Sequence, residues 1–265
     1  MVFGKDVRLS RITSQGKMVC IPMDHGVSNG PIRGLDTIEE TITQLVQGGA
    51  TAILVHKGII RSMPSTPKTG LIMHASGSTT LGGAPNRKML VAGVEEAIRL
   101  GADAISLHVN VGSKEEPEML QDLGLVADEC DQWNFPLVAM MYPRGENIRN
   151  PNDPETVAHV ARIGSELGAD IVKTVYTGDY ESFRTVVRSC RCPVVIAGGP
   201  KSETDLDVLE MAYGAVKAGA IGVTFGRNVF QHERPEQMVR AIVKVVMDGS
   251  TPEGALEVVR AGRTG

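Results

Sequence analysis

Short apolar runs alternate with longer amphipathic stretches along the chain. The apolar runs occupy residues 18–23, 52–55, 71–74, 104–109, 137–142, 170–174, 194–197 and 221–225. Each has the length and composition of a buried strand. Between most of them apolar residues recur at spacings of three and four, as in Ile38, Ile42, Leu45 and Val46, or Val94, Ala97 and Ile98. That spacing buries one face of a helix. Strands separated by helices pair in parallel, because each return to the same sheet edge consumes a crossover. Eight such units predict an α/β fold closed as a (β/α)8 TIM barrel.

The punctuation between elements agrees. Gly49-Ala50, Gly101-Ala102, Gly168-Ala169 and Gly219-Ala220 precede the second, fourth, sixth and eighth runs. Glycine just past a helix takes the left-handed cap conformation, and a small residue next lets the strand start closely packed. The fifth and seventh runs are entered through Phe135-Pro136 and Cys192-Pro193, where proline ends the helix. An open doubly wound sheet is the alternative, but no GxGxxG follows the first run. The 265 residues match one barrel of about 250, so a single domain over residues 1–265 is expected, with residues 1–17 as an N-terminal extension. The one long irregular connection, residues 75–86, is rich in Gly, Ser and Thr.

A net charge of −4 gives no support for nucleic-acid binding, which calls for a basic face. A local pocket for a small anion remains compatible with it. No apolar run approaches the roughly 18 residues of a membrane span, and Lys5, Asp6, Arg8 and Arg11 interrupt anything like a signal peptide. Cys20, Cys130, Cys190 and Cys192 form no CxxC pair. They read as reduced thiols of a cytoplasmic protein.

Barrels keep their chemistry at the C-terminal ends of the strands. Those ends carry Asp24-His25-Gly26, His56-Lys57-Gly58, His74, His108, Tyr142-Pro143-Arg144, Lys173, Gly198-Gly199 and Gly226-Arg227. Lys173 shares a strand face with Ile171, so an inward Ile171 brings the lysine inward too. Burial disfavours an ammonium, and a fall toward about 7.5 would correspond to roughly 4 kcal/mol. The product is a free amine able to form an imine. The alternative is a lysine that snorkels outward or pairs with Asp24 or Asp170. Tyr142 offers a phenolic proton and Asp24 a carboxylate base, although each also fits an ordinary strand-end role. Amine, acid and base on one rim suit C–C cleavage beside a carbonyl. The two glycine turns, with Arg227, suit a phosphate. His25, His56, His74 and His108 are the rival, as possible ligands of a divalent ion, but lack HxH or HExxH spacing. Neither metal nor cofactor is expected.

Together these stretches resemble the archaeal-type class I fructose-bisphosphate aldolase family over nearly the whole chain. The matching pieces include Met23-Asp24-His25-Gly26, Leu81-Gly82-Gly83, His108-Val109-Asn110-Val111-Gly112-Ser113, Asp170-Ile171-Val172-Lys173, Ala197-Gly198-Gly199-Pro200 and Phe225-Gly226-Arg227-Asn228. The resemblance implies a Schiff base at Lys173, with Asp24 as proton acceptor and Tyr142 as proton donor. It implies substrate binding by Asp24, His25, Gly26, Val27, Ser28, Tyr142, Pro143, Arg144, Gly198, Gly199, Gly226 and Arg227. The partners implied are a phosphorylated keto sugar and a small aldehyde, on a homo-oligomer, a decamer in the family. Where the family's fructose-bisphosphate aldolases carry tryptophan, this chain has Met140. The segment Met140-Met141-Tyr142-Pro143-Arg144-Gly145 is similar instead to the 2-amino-3,7-dideoxy-D-threo-hept-6-ulosonate synthase branch. That likeness implies transfer of a ketose fragment from 6-deoxy-5-ketofructose 1-phosphate to L-aspartate semialdehyde, toward 3-dehydroquinate and aromatic amino acids. Ordinary fructose-bisphosphate cleavage and a non-catalytic phosphate-binding barrel stay as alternatives.

Overall fold

Eight strands close on themselves, all in parallel, in a computed structural model that describes residues 3–261. The remaining ends of the expected 1–265 domain lie outside the described residues. The strands are β1 (Met18–Pro22), β2 (Ala52–Val55), β3 (Gly70–His74), β4 (Ala104–Val111), β5 (Leu137–Pro143), β6 (Ile171–Thr174), β7 (Val194–Ala197) and β8 (Gly222–Thr224). Each pairs with its neighbours in sequence, and β8 returns to β1 with Met18 opposite Gly222. This is the (β/α)8 barrel that the run spacing predicts. Alternate residues divide between two cores. Met18, Cys20, Leu54, Ile72, Val138, Ile171 and Val195 fill the barrel interior, while Val19, Ile21, Ile53, Val55 and Val172 pack outward with the helices.

The glycine caps have the geometry their positions call for. Gly49, Gly101, Gly168 and Gly219 have φ of 92°, 78°, 99° and 107°, a region costly for residues with a Cβ. The N-terminal extension forms a helix, Phe3–Ile12. Its Ile12 is fully buried in the interior cluster, with Leu9 packed against the same cluster. Arg11 pairs with Asp103 at 3.2 Å, and Asp103 also accepts the Leu71 N–H at 3.0 Å. The helix therefore closes the end of the barrel opposite the C-terminal rim.

On that rim the connection after β3 is longer than the residues 75–86 suggest. Ser76–Gly77 pairs antiparallel with Met89–Leu90, so the segment leaves the barrel, folds back and returns as a two-stranded flap. Among the described residues no helix is long and apolar enough to cross a membrane.

Candidate active site

The barrel alternation sets Lys173 on the inner face two residues after Ile171, and its side chain is 5% exposed. Its strand neighbour in register is Met140, whose Sδ lies 3.9 Å from Nζ. Burial alone would lower the lysine pKa. The Tyr142 phenol and the Asp24 carboxylate outweigh burial and hold it above its ordinary value. This reverses the shift expected from burial alone: the resting side chain is an ammonium. Asp24 is held well below the ordinary carboxylate range, because His74 and His25, whenever they carry a proton, and the Lys173 ammonium outweigh its own burial.

Tyr142, the penultimate residue of β5, is 8% exposed. Its ring stands 4.8 Å from that of His108, and the Arg144 guanidinium lies 5.4 Å from its centroid. Asp24 follows β1, with Oδ1 3.6 Å from His25 Nδ1 and Oδ2 3.8 Å from His74 Nε2. His74 is buried, bonded through Nδ1 to the Ser106 hydroxyl at 2.8 Å, and crossed edge-on by His56 at 5.2 Å. Burial pushes its pKa down to about 3. Burial likewise lowers His25, His56 and His108, so all four rings are neutral at neutral pH. They line one cavity of about 340 Å³. Among the described residues no three His, Cys, Asp or Glu side chains group closely enough to hold a metal ion.

The neutral His74 makes a prediction about stability. Unfolded, it titrates near 6.5, whereas in the fold it takes its proton only near 3. The unfolded chain therefore gains protons first, and stability held above pH 6.5 is lost as pH falls toward 3. By about pH 4.5 the loss from this residue should be about 3 kcal/mol. Urea unfolding near pH 7.5 and near pH 4.5 measures it, and His74→Gln should reduce the difference by that amount. An undiminished difference would mean that His74 accepts its proton while folded.

The glycine turns lie beside Lys173 after β7 and β8. A Cβ on Gly198 would come within 2.9 Å of Phe225, and one on Gly226 within 2.8 Å of His25, while Gly199 has φ +64°. Asn228 ties the turns together, donating to the Gly198 carbonyl at 2.9 Å and accepting the Ser202 N–H at 2.7 Å. Arg227 donates to the Gly199 carbonyl at 2.9 Å, but its Nε is buried without a partner.

Of the residues singled out in the sequence, Asp24, His25, Ser28, Tyr142, Arg144, Lys173, Gly198, Gly199, Gly226 and Arg227 line the cavity. Gly26 and Val27 are not part of its lining, and Val27 is 43% exposed. Pro143 faces an adjoining chamber. Helix His25–Asn29 turns the chain there, so only some of five consecutive residues reach the pocket. Asp170 is no partner of Lys173. It accepts the Leu137 N–H at 2.8 Å and pairs with Lys5 at 3.2 Å. Ser76, Ser78, Asn86 and Lys88 enter the lining from the flap, and sequence reasoning missed them. Lys57, by contrast, bonds the Val91 carbonyl at 2.8 Å and Glu96 at 3.1 Å and does not line the cavity.

A model of the DeoC/LacD family aldolases matches residues 18–232. The 2-amino-3,7-dideoxy-D-threo-hept-6-ulosonate synthase of Halobacterium salinarum is 44% identical over 260 residues, covering 98% of this chain and 97% of that one. A 2-amino-4,5-dihydroxy-6-oxo-7-(phosphonooxy)heptanoate synthase from Streptomyces griseus is 38% identical over 253 residues, covering 94% and 92%. Among solved structures, an archaeal fructose-1,6-bisphosphate aldolase, with its catalytic Lys covalently bound to the carbinolamine intermediate, matches with TM-score 0.85 and 33% identity. That match covers 91% of this chain and 99% of the aldolase.

Proposed function

The chain belongs to the DeoC/LacD family of aldolases, enzymes that make or break carbon–carbon bonds, and we propose that it is a 2-amino-3,7-dideoxy-D-threo-hept-6-ulosonate synthase acting through Lys173. The observation that carries this reading is the buried Lys173 amine with Met140 against it and Tyr142 and Asp24 acting on it. Its closeness to the Halobacterium salinarum synthase supports the choice within the family. The same proposal takes the chain as one domain over residues 1–265, and the enzyme as cytoplasmic and homo-oligomeric.

The steps follow from the chemistry of the groups. Lys173 must first shed its proton. The amine then attacks the C5 ketone of 6-deoxy-5-ketofructose 1-phosphate, and the carbinolamine loses water to give an iminium. Asp24 takes the proton of the C3 hydroxyl as the C3–C4 bond breaks. The bonding electrons move onto the iminium, leaving an enamine, and hydroxypyruvaldehyde phosphate departs. The enamine carbon next attacks the aldehyde of L-aspartate semialdehyde, whose oxygen takes a proton from Tyr142. Hydrolysis of the new iminium frees the seven-carbon product and the lysine, and the proton held by Asp24 returns through water to Tyr142. The iminium is the electron sink throughout, and Asp24 and Tyr142 supply the proton transfers.

One observation favours a second reading. In the product named for the Streptomyces griseus relative, the phosphate sits one carbon from the ketone. The glycine turns and the unpartnered Arg227 Nε lie beside Lys173, where such a phosphate would fall. In the first reading the phosphate leaves with the aldehyde instead.

Mass spectrometry of products separates the readings. Offered with L-aspartate semialdehyde, 6-deoxy-5-ketofructose 1-phosphate should give a seven-carbon amino acid without phosphate. Fructose 1,6-bisphosphate should turn over poorly, because Met140 offers dispersion contacts where the related aldolases present an indole donor. A phosphorylated seven-carbon product from dihydroxyacetone phosphate would favour the second reading. Efficient release of two triose phosphates from fructose 1,6-bisphosphate would make the enzyme an ordinary aldolase.

A further inference from the structure

The cavity carries cations at two ends. Arg227, after β8, marks the first. At the other, Lys88 comes from the flap after β3 and Arg144 follows β5, and both line the same cavity. Lys88 is half-buried and donates to the Ser78 hydroxyl at 2.5 Å. That hydroxyl is itself held by the Pro85 carbonyl at 3.1 Å. Arg144 meets the Tyr142 ring rather than an acid. Among the described residues neither cation has a carboxylate within ion-pair distance.

Two like charges facing one partly desolvated space raise each other's free energy. Their effect is visible in Lys88, whose pKa is lowered by burial and then by Arg144, against a weaker opposing pull from the Asp24 carboxylate. An anion between them would relieve that repulsion and accept charge-assisted hydrogen bonds from both. The flap is fastened where this would require. Asn110, on β4, donates to the Asn86 carbonyl at 2.8 Å, and its Oδ1 accepts from His108 Nε2 at 2.7 Å. Lys88 is thus carried on a segment tied to the barrel rim.

The barrel order says which part of the substrates lies there. Going around the ring, β7 and β8 stand on one side of β6 and its Lys173, and β5, β4 and β3 on the other. Tyr142, which protonates the aldehyde oxygen in the proposed reaction, belongs to the second side. The aldehyde partner must reach that proton donor, so its distal end extends toward Lys88 and Arg144. We infer that Lys88 and Arg144 form an anion subsite for the aldehyde substrate, which selects aldehydes carrying a carboxylate or phosphate over neutral ones. This rests on the Schiff-base reading of Lys173. In that reading the departing aldehyde carries a phosphate and the incoming one a carboxylate, and the subsite serves both in turn.

The test compares succinic semialdehyde, which has a terminal carboxylate, with butanal, which has none, as acceptors for one donor. Lys88→Gln and Arg144→Gln keep a hydrogen-bonding amide on a shorter side chain and remove the charge, and circular dichroism checks their folding. Each should raise the KM of succinic semialdehyde about tenfold to a hundredfold, the worth of a hydrogen bond to a charged group. The KM of butanal should move less than about threefold, far below that range. A phosphorylated aldehyde, glyceraldehyde 3-phosphate, tells whether phosphate is held by the same pair. Equal changes for charged and neutral acceptors, or none, overturn the subsite. Borohydride trapping of donor on the same samples keeps the two ideas apart. Trapping intact with indiscriminate acceptor use removes the subsite alone, whereas no trapping in the unaltered enzyme removes the Schiff-base reading and the subsite with it.

Discussion

Borohydride added together with a phosphorylated keto sugar should leave a reduced adduct on Lys173, and Lys173→Ala should abolish both adduct and turnover. The amine is the electron sink of the proposed reaction, so its loss should cost turnover on the order of 10⁶, as removal of a covalent nucleophile does in a well-studied protease. The most demanding control is Lys88, the other lysine lining the cavity, because its pKa is lowered and it too could meet a carbonyl. Lys57 is a weaker control, engaged as it is by Glu96. Adduct on Lys88 would keep imine chemistry but move its residue. Absence of adduct, with activity destroyed by EDTA, would overturn the Schiff-base mechanism. The pH dependence carries its own sign. Because Tyr142 and Asp24 raise the Lys173 pKa against its burial, free amine increases as pH rises, and the adduct yield at short times should climb with it. Asp24→Asn removes one of the charges that favour the ammonium and should shift that rise to lower pH.

The inversion of this pKa shows where reading a sequence stops. Strand positions were legible because apolar runs of period two and helices of period 3.6 are local signals. They place Lys173 on the face of Ile171, and the interior cluster indeed contains Ile171. The charge state of Lys173 depends on Asp24 and Tyr142, which lie 149 and 31 residues earlier in sequence. Only closure of the barrel brings them to it. The same limit hid Lys88. Residues 75–86 looked like a plain loop, and nothing in their composition says that the chain returns through Met89–Leu90 with a lysine directed at the cavity. For the histidines the sequence gives position but not grouping. Four strand ends do bring them to one cavity, where burial leaves them neutral. Gly26 and Val27 mark the converse limit, since adjacency to Asp24 does not make a residue part of the lining when a helical turn intervenes.

Tyr142→Phe should reduce turnover by about 10²–10⁴, the usual worth of a positioned proton donor, while leaving the barrel intact. The phenyl ring retains the packing surface, the His108 contact at 4.8 Å and the place beneath Arg144. What disappears is the proton that the new hydroxyl of the product requires. Imine formation needs that proton less, because water and Asp24 remain, so trapped adduct should persist after turnover has collapsed. A second consequence follows from the position of the phenol beside the amine. The Tyr142 hydroxyl favours the charged form of Lys173 through a side-chain hydrogen bond, so its loss should make the amine available at lower pH. The variant should therefore combine slow product release with an adduct-formation profile displaced toward acid. Rapid-quench trapping across pH, alongside steady-state turnover, reads both effects. Normal turnover in the Phe variant would reduce Tyr142 to a packing residue. A collapse of trapping in parallel with turnover, at every pH, would instead place its proton in carbinolamine dehydration rather than in the protonation of the aldehyde oxygen.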